Sequence, residues 1–349
     1  MFQSLTQEGQ PIDIRLLNKA VVDFYTSPLN EADRTNLNKI LVQFSQRKDI
    51  YLFIQQVISS DCDMLTKNMT INSFKNFVNT SWEFVPENNR QELRHYIWSL
   101  LFVEKIPDQI FVTKAIEIIV SVSKYEYPSS WPDFIQQLLS ASSESLENAL
   151  AALKCIEIFS QEISDFAENS LTSARAAEML NSFTQELQSV INFIQKSISS
   201  DAGTDIIKQA LETFCALVKW IDPSFFFQTN ILNQLCTTFL EDKNYSSIII
   251  RILGEIVSVN WIPEDYYPNL GPIFSAIISK LQVIHDDPEG NFFYNPSIIS
   301  LLANTLTSFL TQYYEAVEKP EYSNPLILFH QWLIELTAKD SEDDMDFQE

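Results

Sequence analysis

Side chains that commonly carry enzyme chemistry are few and widely separated in this sequence. The three histidines, His95, His285 and His330, fall in different predicted elements, so we do not expect them to form one metal site or to serve a catalytic triad. The acidic stretch HDDPEG at 285–290 lacks the spaced ligands and the closing glutamate of an EF-hand loop, and it indicates a solvated turn. No phosphate-binding glycine loop and no GxSxG motif occur. The sequence therefore predicts a protein that is not an enzyme and that holds no metal or cofactor.

The four cysteines also lack the spacing of a reactive or metal-binding motif. Cys62, Cys155, Cys215 and Cys236 are far apart without a CxxC pair, and three of them lie in apolar helical runs, as small buried hydrophobic residues do. We expect reduced, structural thiols in an intracellular protein. No apolar run approaches the roughly 18 residues of a membrane span, and the first residues, MFQSLTQEGQPIDIR, lack a signal-peptide pattern. We therefore expect a soluble protein that is not secreted.

The charge of the chain limits the partners that it can bind. The sequence has 46 acidic residues against 23 basic ones, which gives a formal net charge of −23. A surface of this sign repels phosphate backbones and anionic lipids, so no direct binding to nucleic acid or to a membrane is expected. A partner with basic patches is the natural complement.

The composition favours an all-α fold. Only 5 glycines occur among 349 residues, while 46% of the residues are hydrophobic and 20% are charged, which suits a large core of helices with short connections. Within 111–122 the apolar residues follow helical spacing, and Lys114, Glu117 and Ser121 share the opposite side. Short connectors make consecutive helices antiparallel neighbours. Helices are predicted at 11–25, 32–46, 50–59, 66–81, 87–104, 108–125, 132–142, 145–166, 171–199, 203–219, 224–240, 244–259, 268–284, 294–318 and 324–338.

A recurring corner, in which a tryptophan is followed closely by a proline, separates successive helices. It occurs as SWEFVP, SSWP, KWIDP and NWIP, with spacings that fit one or two periods of the roughly 40–47-residue HEAT or armadillo repeat. Proline ends a helix, and a large aromatic side chain beside it fills the space where successive helix pairs meet. We therefore predict an all-α fold, an α-solenoid or superhelix of about 7–8 HEAT-type antiparallel helix pairs. Packing roles are assigned to Trp82, Trp131, Pro132, Phe134, Trp220 and Trp261.

Four segments together resemble one protein family. In order they are SFKNFVNTSWEFVPENNRQELRHYIWSLL, KYEYPSSWPDFIQQLL, LKCIEIFSQEISDFAENSLTSARAAEMLNSFTQEL and ALETFCALVKWIDPSFFFQTNIL, the last followed by IIRILGEIVSV. Their order and spacing resemble the amino-terminal third of the exportin-1 family of nuclear export receptors, in the importin-β or karyopherin superfamily. The closest matches are the corner formed by Trp131, Pro132 and Phe134 and the Trp-Ile pair near Pro223.

The resemblance implies a continuous HEAT solenoid over 1–338, with an importin-β N-terminal-like region at about 11–100 and an exportin-1-like region at about 100–260, and then an acidic tail at 339–349. Receptors of this kind bind the small GTPase Ran in its GTP form through their first repeats. They also bind export cargo and nuclear pore proteins, and they shuttle between nucleus and cytoplasm by coupling binding sites without covalent chemistry. Full-length members are longer, and their groove for leucine-rich export signals resembles nothing in this chain. The chain is therefore interpreted as a fragment or a truncated paralogue that keeps the Ran-facing end.

The resemblance also implies where Ran binds, since the inner, concave side of the first repeats faces the GTPase in this family. The corresponding helices are those predicted at 66–81 and 108–125. An ordinary solvated helix face is the alternative for each residue on them, and a HEAT scaffold that organises a phosphatase or trafficking complex is the alternative function. The residues proposed to contact the partner are Asn72, Lys75, Asn76, Asn79, Lys114, Glu117, Ser121 and Lys124.

Overall fold

The computed structural model describes residues 2–104, 108–169, 173–199, 203–259, 262–286, 296–331 and 334. Within these ranges the regular secondary structure is entirely helical, with no β-strand. The α-helices are α1 (Ile14–Thr26), α2 (Glu31–Ser45), α3 (Ile54–Ile58), α4 (Met64–Ser81), α5 (Glu87–Phe102), α6 (Gln109–Glu126), α7 (Phe134–Ala141), α8 (Leu146–Asn169), α9 (Ser173–Ser197), α10 (Thr204–Val218), α11 (Ser224–Phe227), α12 (Ile231–Gln234), α13 (Ser246–Ser258), α14 (Tyr267–Asp286), α15 (Pro296–Gln312) and α16 (Tyr314–Val317).

The helices form two compact units, Met1–Glu186 and Leu187–Glu349, whose boundary falls inside α9. In the first unit α3, α5 and α7 each pack on the helix that follows them, and the following helices α4, α6 and α8 pack side by side. In the second unit α10 packs on α13, and α13 packs on α15. Helix pairs stacked through their second members are the arrangement of HEAT-type solenoids. The predicted fold class, an all-α solenoid of helix pairs, is confirmed.

The helix predicted at 50–59 consists of a 3₁₀ turn at Ile50–Leu52 followed by α3, and two longer predicted helices are also interrupted in the structure. The segment predicted at 224–240 consists of α11, α12 and a π-helical turn at Leu235–Phe239, which the N–H of Leu240 closes by donating to the carbonyl of Leu235 at 3.0 Å. The segment predicted at 294–318 is divided at Tyr313 into α15 and α16. Both segments keep helical apolar spacing across the interruption, so spacing alone did not locate the breaks. The acidic tail predicted at 339–349 lies outside the described residues.

A strap at residues 2–10 covers one side of the first helix pair. It begins with a 3₁₀ turn that packs against α1 and α2, with Leu5 buried. Arg47, which is 2% exposed, donates from its guanidinium to the carbonyl oxygens of Leu5 and Gln10, each at 3.0 Å. The same guanidinium pairs with Asp49 at 2.7 Å, and Asp49 accepts a hydrogen bond from the N–H of Gly9, also at 2.7 Å. One buried cation therefore fixes the strap to the first helix pair.

The tryptophan corners join neighbouring helix pairs through buried polar contacts. Trp82 is 1% exposed, and its Nε1–H donates to Oε1 of Glu126 at the end of α6, at 3.0 Å. Glu126 is 2% exposed and also accepts a hydrogen bond from Arg94 of α5 at 2.6 Å. The Arg94 guanidinium lies over the ring of the next corner tryptophan, Trp131, at 4.9 Å from its centre. A charged chain of contacts thus connects two successive corners.

The other residues assigned to packing differ in how far they are buried. Trp131 and Phe134 are buried, and their rings lie 4.8 Å apart. Pro132 is exposed and precedes α7, so the packing role assigned to it is wrong; its missing N–H costs little ahead of a first helical turn. Trp220 is partly buried, and Trp261 lies outside the described residues.

Edge-to-face aromatic contacts continue from this corner into the core of the first unit. The ring of Phe159 on α8 lies 5.3 Å from Phe134, 5.5 Å from Tyr127 and 5.6 Å from Phe183 of α9. Each such pair contributes about 0.5–1.5 kcal/mol beyond its buried area. The corner at 127–134 is therefore an architectural joint.

Candidate partner-binding face

The polar sides of α4 and α6, here called the α4–α6 face, contain all but one of the residues that the sequence nominated for partner contacts. Both helices start at an aspartate cap: Asp63 accepts a hydrogen bond from the N–H of Leu65 at 2.9 Å, and Asp108 accepts one from the N–H of Phe111 at 2.8 Å. These caps satisfy free N–H groups at each helix start. The two helices pack directly on one another, so their polar sides lie next to each other.

A stripe of four asparagines runs along α4. Asn72, Asn76 and Asn79 are exposed, and Asn68 begins the stripe one turn earlier. The side-chain oxygen of Asn68 is buried and accepts no hydrogen bond from the residues that the structure describes. Asparagine is a poor helix former, and its amide can both donate and accept hydrogen bonds. The helix therefore gives up intrinsic stability along a side that offers neutral hydrogen-bonding groups to a partner.

Two lysines from different helices meet at one carboxylate beside this stripe. The ammonium groups of Lys75 on α4 and Lys114 on α6 lie 2.7 Å and 2.9 Å from the same atom, Oε2 of Glu117. All three side chains are about one quarter exposed. Burial alone would raise the pKa of Glu117, but hydrogen bonds from Lys114 and Lys75 and the charges of both lysines outweigh it and lower that pKa. Glu117 therefore stays ionised at neutral pH.

The face continues onto α8 through a second ion pair. Lys124, the last nominated residue on α6, lies 2.5 Å from Oε2 of Glu162. Earlier on α8, Lys154 contacts both oxygens of the buried Glu157 at 2.9 Å. These α8 residues could not be predicted from the periodicity of the sequence, because a contact between separate repeats leaves no periodic signal in one helix. Glu162 could have been found by comparing positions one repeat apart, because it follows Glu117 by about one repeat length.

One nominated residue does not belong to the face. Ser121 is 5% exposed, so its assignment as a partner contact is wrong. The reason is that α6 packs against α4, α5 and α8, and three neighbours bury more of its circumference than a single apolar stripe predicts. The structure brings Lys75, Lys114 and Glu117 together, and it leaves the three exposed asparagines beside them.

The residues that could do covalent chemistry are not assembled. His95 and His330 are exposed on separate helical segments, and the side chain of His285 lies outside the described residues. Among the residues that the structure describes, no group of three or more histidine, cysteine, aspartate or glutamate side chains could hold a metal ion. In that same part of the chain, no helix is both long enough and apolar enough to cross a membrane.

None of the four cysteines takes part in a disulfide, and burial disfavours ionisation of three of them. All four are free in the structure. Burial raises the pKa of Cys155, and it raises the pKa of Cys215 and of Cys236 to about 11. Because the thiolate is the reactive form, these thiols are poor nucleophiles at neutral pH.

A groove of about 450 Å³ opens in the second unit. It lies between the α12–π-turn segment and α14, next to a proline inside that helix, Pro272. Its lining contains no acidic, basic or histidine side chain. One cysteine, Cys236, is among the lining residues. General acid–base catalysis needs a titratable group placed at the reacting atom, and the lining of this groove supplies none near neutral pH.

Helix pairs stacked through α4, α6 and α8, with a polar side on α4 and α6, define a HEAT-type helical protein. Family comparisons make the class more specific. Residues 108–253 match the family model described as Exportin 1-like protein, and residues 38–103 match the one described as Importin-beta N-terminal domain. These two stretches of the chain are thus similar to exportin 1-like and importin-β N-terminal sequences, which is the resemblance that the sequence motifs indicated.

Individual relatives agree with the family models. Exportin-1 of Schizosaccharomyces pombe is 21% identical over 93% of this chain, Protein EXPORTIN 1B of Arabidopsis thaliana is 25% identical over 81%, and Exportin-1 of Drosophila melanogaster is 20% identical over 90%. The matches cover 31%, 26% and 30% of those proteins. This chain therefore spans about a third of the length of the relatives it matches.

Proposed function

We propose that this chain is the GTPase-binding arm of a nuclear transport receptor of the exportin-1 type, and that the α4–α6 face contacts a Ran-type small GTPase in its GTP form. One observation carries the proposal. α4 lies within the importin-β N-terminal match and α6 begins the exportin-1-like match, so the face stands where the two matched regions meet. In this function the chain is part of a longer receptor. That receptor shuttles between nucleus and cytoplasm and binds export cargo and nuclear pore proteins.

The chemistry of the face suits recognition of a folded protein. Exposed amides at Asn72, Asn76 and Asn79 provide hydrogen bonds without charge, and Lys75 and Lys114 add charged donors at one point. Protein interfaces carry about one hydrogen bond per 100–200 Å², which a two-helix face of this kind can supply. The mechanism is coupled binding: the GTPase in its GTP form changes the affinity of the receptor for cargo, and cargo changes the affinity of the receptor for the GTPase by the same factor.

The direct test compares binding of the 349-residue chain to Ran loaded with a non-hydrolysable GTP analogue and to Ran loaded with GDP. We expect clearly tighter binding of the GTP form by calorimetry or biolayer interferometry. Equal affinity for both forms, or no binding to either, contradicts the proposal and favours a HEAT scaffold with another partner.

A double substitution separates binding from folding. Changing Asn72 and Asn76 to alanine removes two exposed amides and improves helix propensity by about 0.5 kcal/mol at each position. We expect the variant of the 349-residue chain to melt about 1–2 °C higher. It should bind the GTP form about tenfold more weakly, since each lost hydrogen bond costs about 0.5–1.5 kcal/mol.

The matched control is Asn181→Ala, an exposed asparagine on α9 in the same unit and outside the face. It should raise the melting temperature without changing binding. If the double variant at Asn72 and Asn76 binds as tightly as the unmodified chain, then α4 presents only an ordinary solvated face.

A further inference from the structure

We propose that Lys75 and Lys114, held together by Glu117, form a receptor for one carboxylate side chain of the GTP-bound partner, with Glu117 as a positioning residue. This inference rests on the proposed function and adds the chemistry of the group that the face recognises. The partner is expected to present an aspartate or glutamate at this point.

The geometry of the cluster provides the first argument. Both ammonium groups contact Oε2 of Glu117, at 2.7 Å and 2.9 Å, so they lie within two hydrogen-bond lengths of each other although they belong to different helices. An ammonium group has three N–H donors, and one from each lysine satisfies the contact to Glu117. The remaining donors belong to side chains that are about one quarter exposed. Two convergent, partly desolvated ammonium groups match the two oxygens of a carboxylate.

The distribution of charge provides the second argument. The whole chain carries a formal charge of −23, yet α4 contains two lysines and no acidic residue. The cluster of two lysines and one glutamate carries a local charge of one positive unit. Interactions between exposed charges decay over about 8–10 Å in physiological salt, so an acidic partner group can be attracted here while most of the surface repels it. Such a contact determines how the two proteins are aligned in the complex more than it raises their rate of association.

Glu117 acts through the lysines. Without its carboxylate, two like charges at this separation repel each other and the flexible side chains move apart. Its ionised state is maintained by the same two lysines, whose hydrogen bonds and charges lower its pKa. The substitution Glu117→Gln keeps the size of the side chain while removing the charge that draws the lysines together.

The surroundings of the cluster identify its occupant as a protein side chain. The neighbouring exposed groups on α4 are the amides of Asn72 and Asn76, which pair with neutral backbone or side-chain groups of a protein surface. A carboxylate in the middle of such a surface would bind the lysines while its neighbours bind the amides.

The test uses the full 349-residue chain and Ran loaded with a non-hydrolysable GTP analogue. We expect Lys75→Met and Lys114→Met each to weaken binding about tenfold or more, because truncating one partner of a charged hydrogen-bonded contact has effects of that size or larger. Glu117→Gln should weaken binding about tenfold, although it removes a negative charge from a surface that would then attract an acidic group more strongly at long range.

Salt dependence separates the roles of these residues. In the variant that carries both lysine substitutions, affinity should fall less steeply with added salt than in the unmodified chain, because the charged contact is gone. Glu117→Asp, which keeps the charge, should recover part of the affinity lost in Glu117→Gln. A merely structural role would lower the melting temperature without changing the salt slope. Lys219→Met serves as the matched control, since Lys219 pairs with Glu255 in the second unit at 3.4 Å.

Charge exchange identifies the partner group. Each surface aspartate and glutamate of the GTPase is changed to lysine in turn, and binding is measured against the Lys75→Glu variant. One partner substitution should weaken binding to the unmodified chain and restore binding to Lys75→Glu. If the unmodified chain binds the GTP form but no partner substitution restores binding, or if the double lysine variant binds as the unmodified chain does, the carboxylate receptor is refuted. If the unmodified chain shows no nucleotide-dependent binding, the proposed function itself fails.

Discussion

Changing Arg94 to methionine tests whether the tryptophan corners depend on a buried charged pair. The guanidinium of Arg94 is 21% exposed, donates to the buried carboxylate of Glu126 at 2.6 Å, and lies 4.9 Å from the centre of the Trp131 ring. Methionine keeps an unbranched side chain of similar reach but leaves the Glu126 carboxylate, which is 2% exposed, without its cation.

The expected size of the effect follows from burial. Removing one partner of a buried pair costs about 3–5 kcal/mol, because the other charge is left uncompensated. Glu126→Gln should cost less, about 1–2 kcal/mol, since Gln still accepts a hydrogen bond from Trp82 and the arginine that remains is partly exposed to water. The double variant should therefore be more stable than Arg94→Met alone.

Arg90→Met provides a matched control on the same helix. Arg90 is 23% exposed, like Arg94, but its partner Glu87 is 47% exposed, and surface pairs contribute about 0–1 kcal/mol. Urea unfolding followed by tryptophan fluorescence, whose reporters include Trp82 and Trp131, gives the free energy of unfolding for the four variants. Equal costs for Arg94→Met and Arg90→Met, or a double variant whose cost is the sum of the single costs, would refute the reasoning.

Further predictions concern the strap, the second unit and a thiol. Burial alone would raise the pKa of Asp49, but contacts with Arg47 and a backbone N–H lower it. A lowered folded-state pKa adds stability above the unfolded value of about 3.9 and loses it as pH falls through the folded value. Below about pH 4 the strap amides should therefore lose protection, measured as hydrogen exchange relative to the intrinsic rate of an unfolded chain at the same pH, and Asp49→Asn should remove this dependence. A Cβ at Gly271 would overlap the ring of Tyr322, so Gly271→Ala should destabilise the unmodified chain by about 1–3 kcal/mol. In a chain that already carries Tyr322→Ala, the same substitution should stabilise the fold by about 0.5–1 kcal/mol. Thermal melts that show destabilisation in both backgrounds would contradict this. Burial of Cys155, which raises the pKa of its thiol, should keep it unlabelled by a thiol reagent in the folded chain until urea unfolds it, and rapid labelling under native conditions would oppose the assignment.

Helix positions could be predicted where apolar spacing and strong end signals agree. The prediction at 108–125 differs from α6 (Gln109–Glu126) by only one residue at each end. The agreement is close because Asp108 caps the start of the helix and Pro128 follows its end. The interruption between α11 and α12 could not be predicted in the same way. Its residues keep helical spacing, and the break depends on how this segment packs against neighbouring helices.

The polar face was only partly predictable for a related reason. A single helix shows which side is polar, so Lys75 and Lys114 were identified as surface residues. Their meeting at Glu117 depends on the register between α4 and α6, which periodicity within one helix does not contain. Ser121 was misplaced because the burial of a helix in the middle of a stack depends on all of its neighbours.

The way the strap is held sets an order of events during protein synthesis. Leu5 and Gln10 are fixed by Arg47, and Gly9 is fixed by Asp49, and both of these side chains leave the ribosome about 40 residues after the strap does. At translation rates of about 5–20 residues per second, the strap waits roughly 2–8 s for its binding site to be made. During that interval Leu5 is an exposed apolar group on the nascent chain, available to chaperones before it can be buried.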